Sequence, residues 1–270
     1  MVATLNIVGA GKVGRVLGRL FASSGAFVLQ DVLTRSPDSS AQAIAFMGAG
    51  HAAQSMNSMR RADCWMLAVG DDQIEPVCAA LAAAGLLGGA VVFHCSGARP
   101  SSVLAASGAL VASVHPVRSF ADPGYVAAHF HDTFCGVEGD AAALAMLSSA
   151  LGRIGARAVT IDPAAKTVYH AASVFASNYL VTVLDAALRA YRAAGIDDAV
   201  ARQMAGPLAT ETLANVLRIG PEAALTGPIA RGDMVTVARQ QAALNAWDGA
   251  TGQLYGALAE ATTALALRRP

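Results

Sequence analysis

The sequence predicts a doubly wound α/β domain with a parallel sheet, followed by an all-α domain, and three observations carry that prediction. Up to residue 161, short β-branched apolar runs alternate with alanine-rich stretches of helical periodicity, the pattern of a parallel sheet wrapped by helices. Beyond Asp162-Pro163 no strand pattern remains, and the chain reads as long helical periods. Three glycines spaced as Gly9-x-Gly11-x-x-Gly14 join the first strand to the first helix.

Strands are expected over 5–8, 26–33, 64–69, 90–94, 110–114, 133–137 and 157–161, and helices over 13–23, 39–48, 73–84, 101–106 and 140–151. The strand runs are short and rich in Val, Ile, Leu and Phe, as strands buried on both faces require. In the second half, helices are expected over 164–194, 197–218, 233–247 and 251–267. Gly195, Gly220-Pro221 and Gly227-Pro228 mark their ends and starts. The boundary falls near residue 162, giving domains 1–162 and 163–270 with no repeat or low-complexity linker between them.

Of the 270 residues 54% are apolar, which excludes a disordered or fibrous chain. Nineteen basic residues balance nineteen acidic ones without a run of like charge, so neither nucleic acid nor an anionic membrane surface is an expected partner. Cys64, Cys78, Cys95 and Cys135 lack any Cys-x-x-Cys spacing and read as reduced thiols packed as small hydrophobes. The chain enters a strand pattern almost at once, with no export signal ahead of it, so a cytoplasmic location is expected. The stretch 79–93 is broken by Gly85, Gly88 and Gly89 and is shorter than the roughly 20 residues of a bilayer span, so no membrane segment is expected. Among the nineteen basic residues only Lys12 and Lys166 are lysines, and a lysine that persists against such a bias invites a chemical question.

Gly9-Ala10-Gly11-Lys12-Val13-Gly14 sits after a strand and opens a helix, the context in which this spacing forms a Rossmann dinucleotide site. Gly9 allows the tight turn, Gly11 the approach of the pyrophosphate, and Gly14 close packing of helix on strand, while the helix N-terminus faces the phosphates. The second strand ends in Thr34-Arg35-Ser36, about 20 residues beyond the last glycine, where an NAD site carries an acid for the ribose diol. An arginine between two hydroxyls suits a 2′-phosphate instead, so NADP is the expected cofactor, with NAD left open by Asp31. Val69-Gly70-Asp71 and His94-Cys95-Ser96-Gly97 follow later strands, where ribose and nicotinamide lie in such sheets. Ser96 with Gly97 reads either as a nicotinamide or substrate ligand or as an ordinary turn.

Lys166, His170, Ser173 and Ser177 are spaced four, three and four apart, which places them on one stripe of an otherwise apolar helix, with Tyr169 beside them. Such a stripe either meets water or lines a cleft, because burying it unpaired costs several kcal/mol. Lined up on a cleft, Lys166 and His170 are candidate proton donors for a carbonyl or imine, and Ser173 a substrate ligand. His115, after the strand 110–114, is a candidate acid or substrate ligand, or else a loop cap. His129-x-His131-Asp132 lacks further ligands, so no metal is expected. Asp233 reads as a helix N-cap and Arg231, in the preceding turn, as a ligand for a substrate carboxylate, or the whole segment as a structural turn.

The segments GAGKVG, HCSGA, VHPVRSFADP, DPAAKTVYHAASVFASNYL and ALTGPIARGD together resemble bacterial proteins that join a Rossmann-like domain to a DUF2520 domain. That group is similar to the 6-phosphogluconate dehydrogenase-like superfamily, which includes pyrroline-5-carboxylate reductase, ketopantoate reductase and the β-hydroxyacid dehydrogenases. The resemblance implies a helical C-terminal domain that forms a homodimer. In the β-hydroxyacid dehydrogenases a helix lysine is followed four residues later by asparagine; Lys166 matches the lysine, and His170 stands in place of the asparagine.

These readings leave two classes of function. The first is an NAD(P)-dependent oxidoreductase moving a hydride between NADP(H) and a small carbonyl, imine or hydroxy compound. The second is a regulatory protein that binds NADP without chemistry, and a deazaflavin in place of NADP is a third arrangement on the same opening fold.

Overall fold

The computed structural model describes residues 1–269, which divide into two compact units, 1–177 and 178–269. The division falls beyond the expected boundary near 162, because the helix that starts at Lys166 roots in the first unit.

In the first unit, β1 (Thr4–Val8), β2 (Val28–Leu33), β3 (His51–Ala52), β4 (Cys64–Leu67), β5 (Val91–His94) and β6 (Leu110–Pro116) pair in parallel in the order β3-β2-β1-β4-β5-β6. This is the order of a dinucleotide-binding sheet, with its switch point beside β1. The purely parallel expectation needs one correction. β7 (Phe134–Gly139) runs antiparallel to β6, and β8 (Arg157–Thr160) follows β7 in parallel, so two reversed strands extend the sheet to eight.

Successive residues of β4 show why these strands are apolar throughout: Cys64 and Met66 join one core, Trp65 and Leu67 the other. Helices α1 (Lys12–Ser23), α2 (Pro37–Met47), α4 (Pro123–Ala128) and α5 (Ala141–Arg153) cover the first face through residues such as Leu17, Met47, Val126 and Leu147. Helix α3 (Ile74–Ala83) and the 3-10 helix Ser101–Ser107 cover the second through Ile74, Leu81 and Leu104. The segment expected as an α-helix over 101–106 is thus a 3-10 helix, while β3 and α4, two and six residues long, were too short to show as periodicity.

The stretch expected as one helix over 164–194 is three pieces: α6 (Lys166–Val174), a π-helical turn over Phe175–Tyr179, and α7 (Leu180–Ala193). Residues 163–193 are long and apolar enough to cross a bilayer by length and composition alone, which the expectation based on 79–93 did not anticipate. In the second unit α7 is followed by α8 (Asp198–Ile219), α9 (Pro221–Ala224), α10 (Met234–Trp247) and α11 (Gly249–Ala266). Asp233 caps α10 by accepting from Thr236 N at 3.1 Å, as its position suggested. Arg189 of α7 ties the unit together through Asp248 at 2.8 Å and Thr251 at 2.9 Å.

Candidate active site

The turn from β1 into α1 is shaped by its glycines. Gly9 has φ +81°, and a Cβ there would stand 2.6 Å from the carbonyl oxygen of Ala68. A Cβ on Gly11 would meet nothing within 4 Å, so the backbone ahead of α1 faces open space. That space is a cleft of about 630 Å³ lined by Gly9, Ala10, Gly11, Thr34, Arg35, Val69 and Gly70, together with Arg15, Ser39, Met56 and Gln73. The last four were not foreseen. Arg15 folds back to donate from Nε and Nη2 to the Ala10 carbonyl at 3.2 Å, bracing the glycine turn from one helical turn away.

Lys12 and Val13 do not line this cleft. Lys12 donates to the Ala121 carbonyl at 2.9 Å, and Val13 packs against the core. The two hydroxyls flanking Arg35 are also committed elsewhere. Thr34 donates to the Ser36 carbonyl at 2.9 Å, and Ser36 caps α2 by accepting from Ser39 N at 3.3 Å. Arg35 itself is exposed and makes no ion pair or hydrogen bond among the described residues. Asp31 is removed from contention for a ribose diol. Its buried carboxylate is held by Arg60 through the guanidinium at 2.6 Å and the backbone N–H at 2.7 Å, while Asn6 accepts from its own N–H at 2.9 Å. Burial raises the Asp31 pKa, but the bonds to Arg60 outweigh it and keep the group below the ordinary carboxylate value.

At the far end of the sheet, Ser96 is a turn residue. Its hydroxyl donates to Asp71 at 2.9 Å and accepts from Ala98 N at 3.2 Å and Arg99 N at 3.0 Å. His94 is buried, accepts from Ser96 N at 3.1 Å, and is pushed down to about 4 by burial and then by the Lys166 charge. The loop it supports brings Gly97 against two imidazoles. A Cβ on Gly97 would stand 2.8 Å from Nε2 of His115 and collide with Cδ2 of His170. The two rings meet edge to face at 5.5 Å, and the Tyr169 hydroxyl lies 2.9 Å from His115 Nδ1. Burial, then the His170 and Lys166 charges, push His115 down to about 4, so it is neutral near pH 7.

The expected stripe on α6 is divided. His170 and Ser173 are half-buried, but Lys166 is fully buried and lines no cleft. Its ammonium donates to Ser113 Oγ and, at 2.9 Å, to Glu138, whose two oxygens also accept from Ser101 N at 2.8 Å and Ser101 Oγ at 2.6 Å. Burial lowers the Lys166 pKa while Glu138 opposes the shift. For Glu138, burial pushes upward, and Lys166 with Ser101 holds it below the usual range. Two of the three ammonium protons of Lys166, expected as a proton donor on a cleft, are thus engaged inside the protein. Ser177 lies within the π turn, where the helical period widens. Arg231 is exposed and closes a 3-10 turn in the second unit. Among the described residues no group of three His, Cys, Asp or Glu is placed to hold a metal, and His131 pairs with Asp132 at 2.9 Å.

Residues 2–116 match the Rossmann-like domain model and residues 133–262 the model of DUF2520, a domain of unknown function. The chain joins a Rossmann-like domain to a DUF2520 domain. It is similar in structure to a protein from Thermotoga maritima, at 28% identity and TM-score 0.74 over 97% of this chain and 98% of that one. A structure from Bacteroides fragilis assigned as an NADP oxidoreductase shares 19% identity and TM-score 0.83 over 97% and 98%. An imine reductase from Myxococcus stipitatus in complex with NADP+ shares 18% identity and TM-score 0.67 over 97% and 94%. No curated protein matches the chain.

Two outcomes test this geometry. Lys166→Met leaves the Glu138 charge buried without its partner and is expected to cost about 3–5 kcal/mol of unfolding free energy. The double variant with Glu138→Leu recovers part of that loss in denaturant unfolding; a single-variant cost below about 1 kcal/mol refutes the anchoring role. In acid, His94 and His115 bind protons in the unfolded chain below its value of 6.5 but in the folded chain only near 4. Stability is therefore expected to fall as pH drops through that window. A melting temperature lowered by about 5 °C or more between about pH 7 and pH 4.5, and by less in His115→Gln, checks the sign.

Proposed function

We propose that this chain is an NADP-dependent oxidoreductase acting on a small carbonyl, imine or hydroxy compound. The observation that carries the reading is the open cleft at the β1–α1 turn, walled by Gly9, Gly11 and Gly70 and with the unpaired Arg35 at the end of β2. The residues fit the cofactor. Amides at the start of α1 bind a pyrophosphate, Gly11 leaves room for it, and Arg35 offers a guanidinium to a 2′-phosphate. Asp31, the residue that kept NAD open, is tied to Arg60 and cannot accept from a ribose diol without breaking that pair. Likeness of fold to an imine reductase that holds NADP+ supports the same reading.

When bound, NADPH supplies a hydride at the nicotinamide, which in sheets of this order lies beyond the C-terminal ends of the central strands. At that position the chain presents His115 and His170, packed on Gly97 and close enough to hold a substrate heteroatom or give it a proton. Ser173 on the same helix is proposed as a substrate ligand. Lys166 contributes by holding α6 in place.

A cytoplasmic homodimer completes the proposal. The second unit exposes large apolar side chains, among them Leu208 at 61%, Leu217 at 78% and Val235 at 64%, a density that marks association surfaces. Light scattering should give twice the 27.3 kDa chain mass. The cofactor assignment is tested by Arg35→Ala, which loses a charge-assisted bond to the 2′-phosphate. NADPH affinity is expected to fall about 10- to 100-fold in a fluorescence titration while NADH changes less than about two-fold. Equal losses for both nucleotides, or none, remove the basis for NADP.

A further inference from the structure

We propose that Tyr169 and His115 form a proton relay that ends at His115 Nε2, the atom that protonates the carbonyl oxygen or imine nitrogen of the substrate. This deepens the reductase reading and rests on it. The geometry is specific. The Tyr169 hydroxyl lies 2.9 Å from His115 Nδ1, and among the described residues it makes no other hydrogen bond. A phenol is a better donor than a neutral imidazole, so Tyr169 donates and Nδ1 accepts, which leaves the imidazole proton on Nε2. Nε2 has no hydrogen-bond partner among the described residues, yet it is not among the buried polar atoms sealed from solvent. It is a donor with nothing to donate to, at the loop after β5 where Gly97 allows both imidazoles to close in.

The groups around the pair favour this assignment. Burial raises Tyr169 to about 12, with Cys135 adding to the shift, so the phenol keeps its proton. His115 faces His170, Lys166 and Asp71; the first two, with burial, keep it uncharged, and only Asp71 opposes them. Lys166 is fully buried and directed at Glu138 and Ser113, whereas His115 Nε2 is open to solvent.

The step balances. The substrate carbon receives the hydride from the reduced nicotinamide, which is oxidised, and the C=O or C=N π pair moves to the heteroatom. That atom takes the proton from His115 Nε2 while Nδ1 takes the proton of Tyr169 Oη. Solvent then protonates Nε2 while Nδ1 returns its proton to the phenolate oxygen, which restores both the phenol and the starting tautomer. The partner the relay requires is a heteroatom with a free lone pair: a carbonyl oxygen or an unprotonated imine nitrogen.

Nitrogen-15 NMR of histidine-labelled protein tests the relay without a substrate, with His115→Asn used to assign the signal. The Nε2-protonated tautomer is expected in the wild type and a mixture of tautomers in Tyr169→Phe. A wild-type proton on Nδ1, or a tautomer indifferent to Tyr169→Phe, overturns the relay. NADPH is expected to shift the His115 Nε2 resonance, while the analogue lacking nicotinamide, 2′-phospho-ADP-ribose, binds without that shift. If both bind and neither moves the resonance, His115 is not at the redox end and the relay falls. If neither binds, the reductase reading itself fails, and the relay loses its task even with the tautomer intact.

Discussion

The geometry at the redox end of the sheet hangs on one buried ion pair. Lys166 and Glu138 are taken out of water together, and a lone charge at either position would be intolerable in that interior. Their pairing is reinforced: Glu138 accepts from Ser101 on both oxygens, and the ammonium reaches Ser113 as well. Four segments far apart in sequence are thereby joined: β6 through Ser113, β7 through Glu138, the 3-10 helix through Ser101, and α6 through Lys166. Because Lys166 is the first residue of α6, the pair sets where that helix begins and how it is rotated. Tyr169 and His170, one turn on, have their places over His115 as a consequence.

A second enclosed acid does similar work at the other end of the sheet. Asp31 is bound by Arg60, and Asn6 of β1 links β2 at Asp31 N to the Arg60 carbonyl in the segment ahead of β4. The effect on chemistry is subtractive. With that carboxylate engaged, the end of β2 offers a nucleotide Arg35 and the N-terminus of α2, whose first turn carries the exposed Asp38. In both places an acid that sequence alone leaves ambiguous acquires its meaning from the base it meets.

That contrast explains what was legible. Five of the six parallel strands, all but the two-residue β3, and the glycine turn could be read because each depends on local features, a short apolar run or a glycine that must accept positive φ. The reversal at β7 could not, since an apolar strand carries no mark of its direction and its partner is decided by the sheet edge it reaches. On α6, spacing correctly put Lys166 and His170 on one face, but spacing does not report depth, and Glu138 lies 28 positions earlier. Ser96 illustrates another limit: a hydroxyl after a strand serves a turn or a ligand equally well, and its turn role shows only in the contacts with Asp71, Ala98 and Arg99. The π turn at Phe175–Tyr179 changes the helical period itself, which a stripe drawn at constant spacing through Ser177 does not represent.

The chain uses arginine for seventeen of its nineteen basic residues, yet residue 166 is lysine, and the pocket supplies a reason. The ammonium meets one carboxylate oxygen and one hydroxyl, inside a wall that excludes water. A guanidinium would bring five donors in a planar fork, while Glu138 already accepts from Ser101 on both oxygens, so several N–H groups would be buried without acceptors. Each would cost about 1–3 kcal/mol, more than the added bond returns. A compact charge on a flexible stem fits there, and the general preference for arginine stops at the one site where its geometry has no counterpart.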